Sequence, residues 1–147
     1  MKALPVLLLA LFAVGCHFDK LFSGSGGGAA SLGGAAPPPA THLIFTTQPS
    51  YAAPGTNITP PVQVAAVDDQ DKIVTSFSGT ISIAIGRDGS LLGPARLSGT
   101  TNNVSLVNGV ATFPDLSIDQ PGTSYTLVAS NARPWSVTSA SFNIGVP

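Results

Sequence analysis

Short apolar runs with a two-residue period recur along the chain from Thr41 onward, and turn-forming residues separate them. Alternation of apolar and polar side chains is typical of half-buried strands, while Gly, Pro, Asn and Asp between such runs indicate turns. No window after Cys16 shows the longer period of an amphipathic helix. The pattern predicts an all-β sandwich, with strands over 42–47, 62–67, 79–85, 104–107, 110–113, 124–129 and 137–144.

One connection between these runs carries a specific local signal. Asn108-Gly109 separates two apolar runs. Asn-Gly is the pair that two-residue hairpin turns favour, because both central residues need a positive φ. The sequence therefore predicts a β-hairpin over 104–113.

The first 15 residues have a different composition from the rest of the chain. Met1-Lys2 provides a positively charged start, and an uncharged, leucine-rich stretch follows before the small residue Gly15. This order is typical of a secretory signal. A membrane-spanning helix needs about 20 apolar residues, and this apolar stretch is shorter. We therefore expect a cleaved signal peptide over 1–15.

Cys16 is the only cysteine of the chain, and it directly follows Ala13-Val14-Gly15. Small residues ending in a cysteine resemble the lipobox of bacterial lipoproteins, although that family prefers leucine at the position of Ala13. The resemblance implies that the signal is cut before Cys16 and that its thiol carries a lipid, which would hold the protein to a membrane. The alternative is an ordinary secretory signal, with Cys16 left as a free thiol.

A linker is expected over 16–40. Its central part is rich in Gly, Ser and Ala and predicts a flexible coil, while Pro37-Pro38-Pro39 favours a short, stiff polyproline II segment. Such a composition offers too little apolar area to form a core. As a coil, residues 23–40 would span on the order of 25 Å. The linker would thus hold a folded domain, 41–147, away from lipid head groups.

Composition excludes some partners. Charged residues make up only 9% of the chain, and the formal net charge is −1. Nucleic-acid binding needs a basic patch, so this composition argues against a nucleic-acid partner. A single cysteine cannot form an intrachain disulfide, and the folded part must therefore rely on its apolar core.

The folded segment 41–147 has about the length of an immunoglobulin-type sandwich, roughly 100 residues. Three of its stretches, HLIFTTQP at 42–49, VNGVATFPDLSI at 107–118 and YTLVAS at 125–130, resemble bacterial immunoglobulin-like (Ig-like) domains of the invasin and intimin type. The resemblance implies a Greek-key sandwich with a spacer or adhesive role and brings no catalytic residues. That family usually occurs as tandem arrays, whereas this chain has one copy.

Tyr125 follows a turn over 119–122 at the start of a late predicted strand. This is the position of the tyrosine corner in Greek-key sandwiches, where the hydroxyl bonds to backbone a few residues upstream. We expect a structural role for Tyr125.

Three carboxylates crowd one predicted turn, at Asp68, Asp69 and Asp71. Calcium takes six to eight oxygen ligands, and clustered carboxylates can supply some of them. The chain has no glutamate, however, and so lacks the bidentate ligand that calcium loops use. Aspartate also favours turns because its side chain bonds to nearby main-chain amides. A plain turn is the favoured interpretation, with calcium as the alternative.

The only tryptophan, Trp135, lies close to Arg133 between the last two predicted strands. Tryptophan and arginine are enriched at binding hot spots, and loops are common binding elements. Arg133 and Trp135 are therefore candidate binding residues. In the alternative interpretation, Trp135 packs over the end of the core.

Catalytic patterns are lacking in the sequence. His17 falls in the linker and His42 at a strand start, and neither has an acid or a nucleophile beside it. The spacing of a zinc site and the G-x-S-x-G motif of hydrolases are also absent from the sequence. We expect no enzymatic activity and no cofactor.

These features predict a bacterial cell-envelope protein, anchored by lipid to a membrane, with the outer membrane or cell surface favoured. Its Ig-like domain would serve adhesion or contact with a protein or glycan of the envelope or of a host. Two alternatives stay open: a structural subunit of a larger envelope complex, and a freely secreted carbohydrate-binding accessory module.

Overall fold

The alternating apolar positions become the inner faces of two antiparallel sheets. The structure, a computed structural model, describes residues 38–145, and within them the chain forms ten strands and no helix. The strands are β1 (His42–Thr47), β2 (Val62–Val67), β3 (Thr80–Arg87), β4 (Leu97–Ser98), β5 (Val104–Ser105), β6 (Val110–Phe113), β7 (Ser117–Ile118), β8 (Gly122–Asn131), β9 (Ser136–Thr138) and β10 (Phe142–Ile144).

The strands pair in three groups. The first sheet has the order β1-β2-β6, and the second has the order β10-β8-β3-β5, with β9 also pairing with β8. A small sheet joins β4 to β7. Every pairing between these strands is antiparallel. The prediction of an all-β fold is therefore confirmed.

One apolar core joins the two larger sheets. Val62 and Val64 contribute to it from the first sheet, and Ile81 and Leu127 contribute from the second; all four are fully buried. Side chains that meet between the inner faces of two sheets form the core of a β-sandwich. The described residues are consistent with that architecture.

The hairpin predicted over 104–113 is wrong in its pairing, although its turn forms. Val107 and Val110 exchange main-chain hydrogen bonds of 2.9 and 3.0 Å, and φ is 51° at Asn108 and 78° at Gly109. Beyond the turn, however, β5 pairs with β3 and β6 pairs with β2, in different sheets. An Asn-Gly pair determines only the local backbone, whereas packing on the two sheets directs the flanking strands.

The last predicted strand, 137–144, is divided in two. β9 and β10 both pair with β8, and the buried Ser139 lies between them. The Ser139 N–H donates to the Leu127 carbonyl oxygen at 2.8 Å, and its Oγ accepts the Leu127 N–H at 2.9 Å. A side-chain oxygen thus replaces a main-chain acceptor and interrupts the ladder.

Strand direction assigns each loop to one of two ends of the domain. We call the end where residues 38–41 lead into β1 the proximal end. The β2–β3 loop, the Asn108-Gly109 turn and residues 132–135 lie there, since Ala66 bonds to Gly109 and Ile81 pairs with Asn131. The opposite, distal end carries the loops 48–61, 88–96 and 119–121. Short pairings from Ala52 to Ile144, from Ile144 to Gly122 and from Gly122 to Ser90 join these loops.

Candidate functional site

The predicted anchor falls outside the part of the chain that the structure describes. Cys16, the signal peptide over 1–15 and the linker as far as residue 37 all lie outside residues 38–145. Within the described residues, no helix has the length and apolar character needed to cross a membrane.

Arg133 and Trp135 come together with Phe77 at the proximal end, and we call these three residues the aromatic cluster. The ring centroids of Phe77 and Trp135 are 5.7 Å apart, with 32° between the ring planes. The Arg133 Cζ lies 5.6 Å from each centroid. Both rings are partly buried and pack against the core, while Arg133 is exposed. Trp135 therefore supports the end of the core and also contacts the guanidinium.

The charge of Arg133 has no acidic partner in the described part of the chain, where the one contact between a basic and an acidic side chain joins His42 to Asp71. A guanidinium over aromatic rings gains about 0.5–1 kcal/mol at an exposed site. A shallow cleft of about 150 Å³ opens beside Arg133 and is lined by Phe77, Ser78, Gly79, Thr80, Asn131, Ala132 and Arg133. The cluster can offer a cation and an apolar edge to a ligand.

Asn131 forms one wall of this cleft. Its Oδ1 atom is buried and accepts no hydrogen bond from any described residue. Leaving a buried acceptor unsatisfied costs about 1–3 kcal/mol. The unsatisfied Asn131 oxygen therefore lowers the stability of the fold at the end of β8, next to the aromatic cluster.

The carboxylates of the three aspartates considered as calcium ligands do not come together around a common site. The buried Asp68 uses its Oδ1 to accept main-chain N–H groups of Gln70 at 2.9 Å and Lys72 at 3.0 Å. Asp71 lies 2.9 Å from His42 Nε2 through its own Oδ1, and Asp69 is exposed. Among the described residues, no three His, Cys, Asp or Glu side chains are grouped so as to hold a metal ion. The geometry is that of a turn stabilised by its own carboxylate.

Three further carboxylates hold the segment 95–100. Asp88 Oδ2 accepts the Ala95 N–H at 3.0 Å, and Asp119 Oδ1 accepts the Arg96 N–H at 2.7 Å. Asp115 accepts both the N–H and the hydroxyl of Thr100, each at 2.9 Å. No motif in the sequence marks these three carboxylates, because separate loops bring them together only in the folded chain.

These hydrogen bonds favour the ionised carboxylates. Bonds from the Ser90 side chain and N–H, and then from the Ala95 N–H, lower the pKa of Asp88 below its usual value. The Thr100 N–H and hydroxyl lower the pKa of Asp115 in the same way. A general acid or base works best with a pKa near the operating pH. These two carboxylates are instead suited to act as permanent anions that brace loops.

Tyr125 is fully buried, and its hydroxyl donates to the Gln120 carbonyl oxygen at 3.0 Å. This is the contact that defines a tyrosine corner. Burial raises the pKa of Tyr125, the negative charges of Asp88 and Asp119 raise it further, and a hydrogen bond with Ser90 opposes the shift. The phenol therefore stays protonated and available as a donor.

Comparison of the chain with protein-family models and with curated proteins finds no match. The described residues form an all-β fold of antiparallel sheets that is consistent with a β-sandwich. An arginine–aromatic cluster lies at its proximal end, and carboxylates brace its loops at both ends.

Proposed function

We propose that this chain is a lipid-anchored bacterial cell-envelope protein without catalytic activity. Cys16 would carry the lipid, residues 16–40 would act as a linker, and one Ig-like β-sandwich would be displayed at the outer membrane or cell surface. The displayed domain would serve adhesion or contact with a protein or glycan.

Strand pairing supports the Ig-like part of the proposal. The order β1-β2-β6 matches strands A, B and E of an Ig sandwich, and β3, β8 and β10 match strands C, F and G. Tyr125 then lies near the start of strand F, where Ig-like domains place the tyrosine corner. Both the topology and this hydrogen bond favour an Ig-like fold over other sandwiches.

The functional proposal rests mainly on one observation: most of the described carboxylates form hydrogen bonds with loop backbone. Four carboxylates accept main-chain N–H groups of loops: Asp68 and Asp88 accept two each, and Asp115 and Asp119 accept one each. Carboxylates engaged in this way stabilise loop conformation and leave few groups for acid–base chemistry. Rigid loops on a small scaffold suit recognition, because less conformational entropy is lost on binding.

The position of the aromatic cluster bears on the kind of contact it could make. Residues 38–41 lead into β1 at the proximal end, so the linker would join the domain there. Arg133 and Trp135 lie at the same proximal end. A contact made through the aromatic cluster would therefore involve a partner close to the linker, such as a neighbouring envelope protein.

Metabolic labelling with a palmitate analogue tests the anchor. We expect label on the wild-type chain and none on the Cys16→Ala variant. Absence of label from both chains would overturn the lipoprotein proposal. Protease treatment of whole cells then tests display: removal of the domain supports it, whereas protection points to a subunit of an internal envelope complex.

The geometry gives less support to a secreted carbohydrate-binding module. Trp135 is half-buried and stacks against Phe77, with Arg133 over both rings. A sugar-binding platform needs an aromatic face open to solvent, and much of the surface of Trp135 is buried against its neighbours.

A further inference from the structure

Two adjacent leucines are exposed to solvent at the distal end. Leu91 is 72% exposed and Leu92 is 79% exposed, and both lie in the connection between β3 and β4. We call residues 88–95 the leucine loop. Single exposed apolar residues are common, but two neighbours at one loop tip form an apolar surface that water solvates poorly.

The base of the leucine loop is rigid. Asp88 accepts the Ser90 N–H at 2.9 Å and the Ala95 N–H at 3.0 Å, so one carboxylate joins both sides of the loop. The Leu91 N–H donates to the Pro121 carbonyl oxygen at 3.2 Å, and the Thr123 N–H donates to Gly89 at 3.0 Å. The loop is thus fastened to the neighbouring turn while its tip projects.

Basic side chains flank the leucine loop, and an exposed tyrosine lies at the same end of the domain. Arg87 and Arg96 flank it, both are exposed, and neither forms an ion pair within the described residues. Tyr51, which is 48% exposed, belongs to the same end and bonds through its hydroxyl to the Gly145 carbonyl oxygen. An apolar tip flanked by arginines, with a tyrosine at the same end of the domain, has the composition of segments that lie at a membrane interface.

The shape of the loop favours one type of partner. A projecting apolar tip cannot enclose a ligand, and it becomes buried only by entering another apolar medium. We infer that the leucine loop inserts Leu91 and Leu92 into the surface of a lipid bilayer, with the flanking arginines at head-group level. This goes beyond the proposed function, because it does not require a lipid on Cys16.

Charge plays a minor part in this insertion. The carboxylates of Asp88 and Asp119 lie at the base of the loop and offset Arg87 and Arg96. Burial of apolar surface therefore drives the contact. Insertion should be similar in zwitterionic and anionic bilayers and should change little with salt.

A tryptophan placed at the tip tests the inference in the full chain. The Leu92→Trp variant is mixed with phosphatidylcholine vesicles that contain brominated acyl chains. We expect a blue-shifted emission and quenching of the introduced tryptophan. The native Trp135 lies at the opposite end, so the wild-type chain gives the background signal. Val107→Trp is the matched control, because Val107 is 69% exposed at the proximal end; it should show no quenching.

A second pair of variants separates insertion from mere proximity to the vesicle. Adding Leu91→Asp to the Leu92→Trp chain should abolish the quenching, because a charge is costly in the bilayer, whereas adding Leu91→Met should preserve it. Unquenched emission from the Leu92→Trp chain would overturn the inference. So would a crosslink from position 92 to a protein on whole cells in place of lipid. Palmitate labelling of Cys16 gives an independent result, so the two proposals can fail separately.

Discussion

The hydroxyl of Tyr125 donates to the main-chain carbonyl oxygen of Gln120 at 3.0 Å. Gln120 lies in the turn before β8, and the Tyr125 ring is fully buried, with its centroid 6.0 Å from that of Phe142. One side chain therefore ties a distal turn to the core. The leucine loop is in turn fastened to this turn through Pro121.

The first prediction concerns removal of this hydrogen bond. Tyr125→Phe keeps the ring but leaves the Gln120 carbonyl oxygen without its donor, which should lower the free energy of unfolding by about 1–2 kcal/mol. Urea unfolding at neutral pH measures the change. Tyr51→Phe is the matched control, because its hydroxyl bonds to Gly145 in an exposed setting where water can substitute. Equal midpoints for Tyr125→Phe and the wild type would contradict the assigned role.

The second prediction concerns alkaline pH. Burial raises the pKa of Tyr125 above its ordinary value of 10.0, so the folded state holds the phenolic proton more tightly than the unfolded state does. The resulting stabilisation is fully present below the unfolded pKa and is lost as pH rises through the folded pKa. Unfolding measured in steps above neutral pH should show stability falling past about pH 10. The fall should be smaller in Tyr125→Phe, and an unchanged slope would argue against a buried phenol.

The third prediction concerns acid pH and Asp115. The Thr100 N–H, followed by its hydroxyl, lowers the pKa of Asp115 from 3.8. The stabilisation is therefore present above the unfolded pKa and is lost as pH falls through the folded pKa. Asp115→Asn should reduce stability at neutral pH and flatten the acid limb of the stability profile. Asp69→Asn, an exposed change that alters net charge equally, should leave the stability near that of the wild type.

The fourth prediction concerns the close approach of two loops. A Cβ atom at Gly122 would overlap the main-chain carbonyl of Gly89, and neither backbone can move without breaking the bonds that fasten the leucine loop. Gly122→Ala should therefore cost about 3 kcal/mol. Gly145→Ala is the control, because a Cβ there meets nothing within 4 Å. Similar thermal midpoints for the two variants would show that the loops separate easily.

The parts of the fold that depend on local pattern were predictable. The predicted strands 42–47 and 62–67 coincide with β1 and β2, because apolar side chains there alternate or run continuously over a whole strand. β4 and β7 contain two residues each and were missed, since a pair of residues shows no period. The hairpin error has the same origin, because a turn signal contains no information about which sheet each flanking strand joins.

The candidate sites were predictable only where one short segment contains them. Arg133 and Trp135 are close in sequence, but their partner Phe77 comes from a distant loop, and only the packing of β3 beside β8 brings it near. Leu91 and Leu92 show a further limit. An apolar pair in the sequence looks the same whether its side chains end in the core or in solvent, and the Asp88 hydrogen bonds that close the base of the leucine loop form only in the folded chain.

The last prediction compares two asparagines with opposite surroundings. Asn131 Oδ1 is buried without a partner among the described residues, whereas Asn143 Oδ1 accepts the Ser124 N–H at 2.9 Å. Replacing an unsatisfied polar group by an apolar one removes its desolvation penalty, and valine also suits a strand. Asn131→Val should therefore raise the free energy of unfolding by about 1 kcal/mol.

Asn143→Val makes the same chemical change but removes a hydrogen bond that is formed, and it should lower stability by about 0.5–1 kcal/mol. Urea unfolding of both variants beside the wild type measures the two shifts. Opposite signs would show that no hydrogen bond offsets the desolvation of Asn131 Oδ1. Two losses of similar size would mean that Asn131 Oδ1 accepts a hydrogen bond in solution, for example from a bound water in the cleft beside Arg133.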